Sequence, residues 1–215
     1  MITEIARGVG CGVGGRWGNM AVMNELQQKI SASIADSAAV MASLDAQRDA
    51  IAAICQVIVD ALKDGRKVLT AGHGGSAAEA MHMSEEFVGR FDQDRRPLPA
   101  VALTADGTLL TCISNDYGFD EIFPRQLEAL GQPGDVLVIF STSGKGDGFQ
   151  RCVDIAAKRG VTTVGFLGKG GGPLAPRLDH AVVVASDITA RVQEAHVCLL
   201  HVVLEAVDRA FVDCC

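Results

Sequence analysis

Ile51, Ile54, Cys55, Ile58 and Leu62 recur at the i, i+3, i+4, i+7 spacing that gives a helix one apolar face, within an alanine-rich stretch from about Met20 to Leu62. Two helices are expected there, divided near Leu44–Arg48. After Asp64-Gly65 the pattern changes. Short apolar runs at Lys67–Ala71, Ala100–Thr104, Val136–Ser141, Val161–Leu167 and Ala181–Ala185 alternate with longer periodic segments. Such alternation predicts an α/β fold, a mostly parallel sheet with helices on both faces. Pro97, Pro99, Pro133, Pro173 and Pro176 fall at the edges of these elements, where the missing N–H does least harm. The last segment, Ile188 to Phe211, reads as a helix that is apolar almost all round and therefore buried on every side. A single chain of this size has little left to cover both this helix and the N-terminal pair, so a homo-oligomer is expected.

Composition narrows the function. The 215 residues are 48% hydrophobic and 21% charged, enough apolar material for one domain with extra helices. A net charge of −7 and 5% aromatic residues argue against a basic nucleic-acid surface or a base-stacking platform. Seven cysteines with no C-x-x-C pair point to a reducing compartment. The first twenty residues hold no apolar stretch of signal-peptide length, and no window matches a membrane span. Residues 1–19 are crowded with glycine and are expected to be a disordered extension, with 20–215 as the folded domain. The expectation is a cytoplasmic protein without membrane or nucleic-acid partners.

Two loops carry candidate chemistry. The first strand runs into Gly72-His73-Gly74-Gly75-Ser76, and the third into Ser141-Thr142-Ser143-Gly144. Ligands of parallel sheets sit beyond the carboxyl ends of the strands, where helix N-termini present free N–H groups. Serine and threonine also cap helices without binding anything, but two such loops together favour a phosphate cradle. The first loop further satisfies G-x-G-x-x-A as Gly72, Gly74 and Ala77. The ribose-binding acid of that fingerprint belongs about 20 residues on, whereas Asp106 lies more than thirty past Gly72. A Walker lysine is also absent, so a phosphorylated small molecule is the expected ligand.

His82 and Glu86 stand four apart, on one face of the helix after the first loop. The spacing suits two metal ligands, or a ligand beside an acid–base carboxylate, and equally an ordinary surface pair. The terminal helix adds Gln193, Glu194, His196 and His201, polar groups that need partners in so apolar a segment. Gln193 and His201 are about 12 Å apart along a helix axis. Sharing one ion would take converging side chains or two subunits, which points to a site at a subunit boundary.

These pieces come together as GHGGSAAEAMHMSEEFVGRF (Gly72–Phe91), SNDYGFDEIF (Ser114–Phe123), STSGKG (Ser141–Gly146) and TARVQEAHVCLLH (Thr189–His201). Over Val68 to Phe211 the chain resembles the sugar isomerase (SIS) domain proteins, most closely the phosphoheptose isomerases. The resemblance implies a flavodoxin-like five-stranded parallel sheet with N-terminal helices, and tetramers whose active sites form where subunits meet. It implies conversion of D-sedoheptulose 7-phosphate to D-glycero-D-manno-heptose 7-phosphate, a precursor of lipopolysaccharide core heptose and other bacterial heptosides. By the same resemblance His82, Glu86, Gln193 and His201 would hold one zinc ion per subunit, with Glu86 and His201 as the acid–base pair. Ser76, Ser141, Thr142 and Ser143 would hold phosphate, Asn115 and Asp116 sugar hydroxyls, and His73, Gly74, Gly75, Glu86 and Gln193 would also line the substrate. Two positions depart from the family pattern: His73 replaces an asparagine, and Gly146 replaces a serine of the phosphate loop. If that hydroxyl matters, Gly146→Ser is expected to tighten binding. Competing readings are a SIS isomerase for another sugar phosphate and a non-catalytic SIS regulatory module. The module has no use for a carboxylate beside a metal-ligand histidine, so His82 and Glu86 favour the enzyme.

Overall fold

The structure, a computed structural model, describes residues 20–212, so the expectation for the glycine-rich segment 1–19 lies outside the described residues. The chain divides after Ala38 into two units. The first holds most of helix α1 (Met20–Ser43), which has no buried residue. Met20, Ile30 and Ile34 on it are at least half exposed, at 82%, 50% and 64%.

The second unit continues through a short 3₁₀ turn, Leu44–Gln47, into α2 (Arg48–Lys63), the helix expected from the Ile51–Leu62 pattern. Five strands follow: β1 (Val68–Gly72), β2 (Ala100–Ala102), β3 (Val136–Ser141), β4 (Thr162–Leu167) and β5 (His180–Val183). All pair in parallel, in the order β2-β1-β3-β4-β5. This is the flavodoxin-like order, as expected. β1 and β3 are buried at every position, which explains their unbroken apolar runs. β2 is shorter than its apolar run because only its first residues face β1, although Leu103 N still donates to Thr70 O at 2.9 Å.

Alternate residues of each strand feed two cores. On one face Val138, Phe140 and Phe166 pack with α2, α3 (Gly75–Val88) and α7 (Thr189–Phe211). On the other, Leu69, Leu137 and Ile139 pack with α4 (Gly107–Tyr117), α5 (Pro124–Leu130) and α6 (Asp147–Arg159). The crossover after β1 therefore lies on one face and the crossover after β3 on the other. α7 is buried along one side only, with Val202 36% exposed and Glu205 and Arg209 also in solvent. Burial on every side, expected from its apolar periphery, is not reached within one chain.

Two side chains finish the sheet. Asp135, 1% exposed, accepts from the backbone N–H of Lys67 and Gln132 and pairs with the Lys67 ammonium, tying the starts of β1 and β3. At the outer edge Gln47 donates to Val183 O at 2.9 Å and accepts from Val183 N at 3.1 Å. No helix among the described residues is long and apolar enough to cross a membrane. Phe140, fully buried against Phe166 and His196, is expected to cost about 3–5 kcal/mol of stability on replacement by alanine, read as a lower denaturation midpoint at unchanged slope.

Candidate active site

The two loops leave adjacent strands at one level, since Gly72 of β1 is in register with Phe140 of β3. The first turns at once into α3. A Cβ on Gly72 would overlap the Ser76 carbonyl, and Gly74 sits at φ +58. Ser76 is buried, with its N–H on His73 O at 3.0 Å. In the second loop the buried Ser141 hydroxyl accepts from Gly144 N at 3.1 Å, while Thr142 and Ser143 are half-buried. Gly144 lies so close to Gly171 that a Cβ would overlap the latter's carbonyl oxygen. Hydroxyls and helix N-termini thus gather at one crevice, an arrangement suited to phosphate.

Gly146 caps α6 at φ +121, ψ 125. That region is nearly closed to other residues, so a serine cannot simply be restored there. Gly146→Ser therefore carries a backbone cost that the expectation of tighter binding left out.

His73 is half-buried, with its ring packed among phenylalanines. Its ring centroid lies 5.0, 4.9 and 4.8 Å from those of Phe119, Phe123 and Phe149. Burial among these rings pushes its pKa down, with the Asp120 charge opposing. Asn115 and Asp116 are exposed near the end of α4, where the Asn115 amide donates to Asp116 Oδ1 at 2.8 Å.

Helices α3 and α7 run side by side in the same direction, and the remaining predicted residues line their seam. The Gln193 carboxamide lies against the Cα of Gly75, where a Cβ would overlap its nitrogen. Further along, His196 Nδ1 meets Glu79 Oε2 at 3.2 Å, both groups buried, and His196 Nε2 is buried without a hydrogen-bond partner. Next His82 Nε2 stands 3.4 Å from Glu86 Oε1, and the His82 ring meets His201 edge-on with centroids 5.2 Å apart. Phe91 stacks on the far side of His201 at 5.5 Å. His82, Glu86 and His201 are therefore brought together, while Gln193 is held at the head of α3.

The structure adds Glu85, whose carboxylate joins His82 and Glu86 with all donor atoms within 4.8 Å of one another. The donor set suits a divalent ion. At 3.4 Å the His82–Glu86 pair is too long for a strong charged hydrogen bond. It is about the edge of a tetrahedron drawn around an ion with bonds of about 2.1 Å. Sequence reasoning missed Glu79 and Glu85, although both stand in the same helical motif, and it missed the phenylalanine cage entirely.

The SIS domain family pattern matches residues 32–168. A phosphoheptose isomerase of Campylobacter concisus is 50% identical over 157 residues, 73% of this chain and 83% of that one. The chain belongs to the phosphoheptose isomerases of the SIS domain family. Among solved structures, the phosphoheptose isomerase of Neisseria gonorrhoeae superposes with a TM-score of 0.79 at 36% identity, covering 86% of this chain and 99% of that one. That of Francisella tularensis gives 0.79 at 31%, over 87% and 98%. Both agree with the flavodoxin-like sheet and N-terminal helices described above.

Two outcomes follow from the loop geometry. Gly146→Ser is expected to lose about 1–3 kcal/mol of stability through backbone strain and to bind sugar phosphate no tighter, checked by denaturation and KM. His73, with a folded pKa below its ordinary value of 6.5, contributes stability that is full above pH 6.5 and is lost as pH falls through 6.5 toward the folded value. Denaturation midpoints at pH 7.5 and pH 5 should therefore converge in His73→Phe.

Proposed function

We propose that the protein interconverts D-sedoheptulose 7-phosphate and D-glycero-D-manno-heptose 7-phosphate as an aldose–ketose isomerase. The observation that carries this is the gathering of His82, Glu86 and His201 on the α3–α7 seam, in a chain that also sets two hydroxyl-lined loops at the β1/β3 crevice. Ser76, Ser141, Thr142 and Ser143 take the phosphate. Gly74, Gly75 and Gln193 border the sugar at the head of α3, and Asn115 and Asp116 take its hydroxyls. His73 shapes the wall behind them through its phenylalanine cage rather than reaching the substrate as a donor.

Starting from the ketose, Glu86 removes a proton from C1 as the carbonyl at C2 becomes part of an enediolate. His201 moves the hydroxyl proton from O1 to O2. Glu86 then returns its proton to C2, leaving the aldehyde at C1. His82 and Glu86, with His201, would hold one zinc ion per subunit, and Gln193, held at the head of α3, would reach that ion only from a neighbouring subunit. Bound there, zinc supplies Lewis-acid polarisation of the carbonyl and charge stabilisation for the enediolate oxygens.

A homotetramer in the cytoplasm completes the reading, with product passing to lipopolysaccharide core heptose or other heptosides. Exposed apolar residues on α1 and an apolar groove of about 670 Å³ between α2 and α7, lined by Ile51, Cys55, Leu199 and Val202, support assembly with further copies. Cys55, Cys112, Cys152 and Cys198 are free thiols, and burial pushes Cys152 up to about 12, in keeping with a reducing compartment. The altered wall at His73 favours one alternative, a related sugar phosphate as the preferred substrate.

Incubation with sedoheptulose 7-phosphate should yield aldose, and failure with this substrate but turnover of another sugar phosphate would select the alternative. Glu86→Gln is expected to lower kcat by at least about 10²-fold while substrate still binds by calorimetry. His82→Ala should lose bound metal, measured by elemental analysis, together with activity. Ser141→Ala with Ser143→Ala should raise KM, each lost hydrogen bond to a charged oxygen being worth about 1.5–3 kcal/mol.

A further inference from the structure

Beyond the His82–Glu86–His201 group, the α3–α7 seam carries one more polar link, to which no role has been given above. Asp208 lies two turns past His201 on α7 and is 4% exposed. Its Oδ1 accepts from Arg95 Nε at 2.8 Å, and its Oδ2 accepts from the backbone N–H groups of Asp92 and Gln93, each at 3.0 Å. Burial works to raise its carboxyl pKa, but the Gln93 and Asp92 amides and the Arg95 guanidinium outweigh that and hold it below the usual range.

Arg95 has a side chain with no solvent exposure. Its Nη2 donates to Glu86 O at 2.9 Å, and its Nη1 donates to Phe87 O at 3.0 Å and Arg96 O at 3.2 Å. Glu86 and Phe87 are in the last turn of α3, whose carbonyls the helix itself leaves unpaired. The guanidinium therefore fastens the backbone of the residue that bears the base. The second Asp208 oxygen fastens the turn beginning at Asp92, and the residue before it, Phe91, stacks on His201 at an interplanar angle of 29°. One carboxylate thus grips both halves of the acid–base pair, by separate routes.

A buried ion pair contributes little net stability compared with well-packed apolar residues of the same size. Arg95 also satisfies last-turn carbonyls of α3, so a positioning role has to appear in catalysis rather than in stability. We propose that Asp208 is a positioning residue that sets Glu86 through Arg95 and His201 through Phe91. The proposal rests on the reading of Glu86 and His201 as the acid–base pair.

The test uses the full chain, sedoheptulose 7-phosphate as substrate, and rates expressed per folded molecule, with the folded fraction taken from circular dichroism. Asp208→Asn is expected to lower kcat about ten- to hundredfold with KM changed by less than about threefold, the pattern of a misplaced catalytic group. Arg95→Ala should fall similarly and recover part of its kcat in millimolar guanidinium, which refills the vacated contacts. Phe91→Leu leaves the Arg95–Asp208 pair intact and reports even if Asp208→Asn fails to fold. It should lower kcat with little change in Tm. Wild-type kcat per folded molecule in Phe91→Leu and in any folded Asp208 variant, beside an inactive Glu86→Gln, would overturn the proposal while leaving the acid–base reading in place. Near-normal rates in Glu86→Gln would instead remove that reading, and this proposal with it.

Discussion

The sheet changes its crossover direction between β1 and β3, and the candidate site follows from that change. α3 leaves β1 toward one face and α6 leaves β3 toward the other, so the backbone opens between two adjacent central strands. The loops at this opening have to turn within a few residues and lie close to neighbouring backbone. Both conditions select glycine: Gly72 and Gly74 in the first loop, and Gly144 against Gly171 in the second. The hydroxyl groups there are not used up in capping, because the N-caps of α3 and α6 are the glycines Gly74 and Gly146. Phosphate binding then requires only that substrate oxygens replace solvent at groups already in place.

The chemistry sits beside the crevice, on the seam between α3 and α7. Their common direction lets residues far apart in sequence meet in order: Gly75 with Gln193, Glu79 with His196, His82 with His201. A metal-binding or proton-moving group is usable only if its neighbours stay fixed, and long helices packed in register achieve this better than loops do. Of the polar residues of α7 that seemed expensive in an apolar helix, Gln193, His196 and His201 face α3, while Glu194 pairs with Arg191 on its own helix.

Strands and helices were legible because each expresses a local period. The unbroken runs of β1 and β3 reflect burial on both faces, and the Ile51–Leu62 spacing reflects one buried face of α2. The two loops were legible because glycine and hydroxyl residues follow apolar runs directly. His82 and Glu86 could be paired from sequence, being one turn apart. Partners separated by more than a hundred residues leave no periodic mark. Glu79 with His196 and Arg95 with Asp208 are of this kind, separated by 117 and 113 positions. The cage around His73 draws its rings from two later segments, Phe119 with Phe123 and then Phe149, and such non-local packing is likewise unmarked in the sequence. Gly146 looked like a missing hydroxyl because sequence gives the side chain and hides the backbone angle that requires glycine.

The carboxamide of Gln47 has a consequence for how copies of this chain can meet. At Val183 it makes both hydrogen bonds that an incoming strand would make at the outer border of β5. A side chain thus occupies the place of a sixth strand at that point, and continuous sheet cannot be added across it without first breaking those two bonds. At that edge the protein is thereby steered away from strand-templated, open-ended polymerisation, whereas contacts through helical faces, which can close into a finite symmetric particle, do not meet this obstacle.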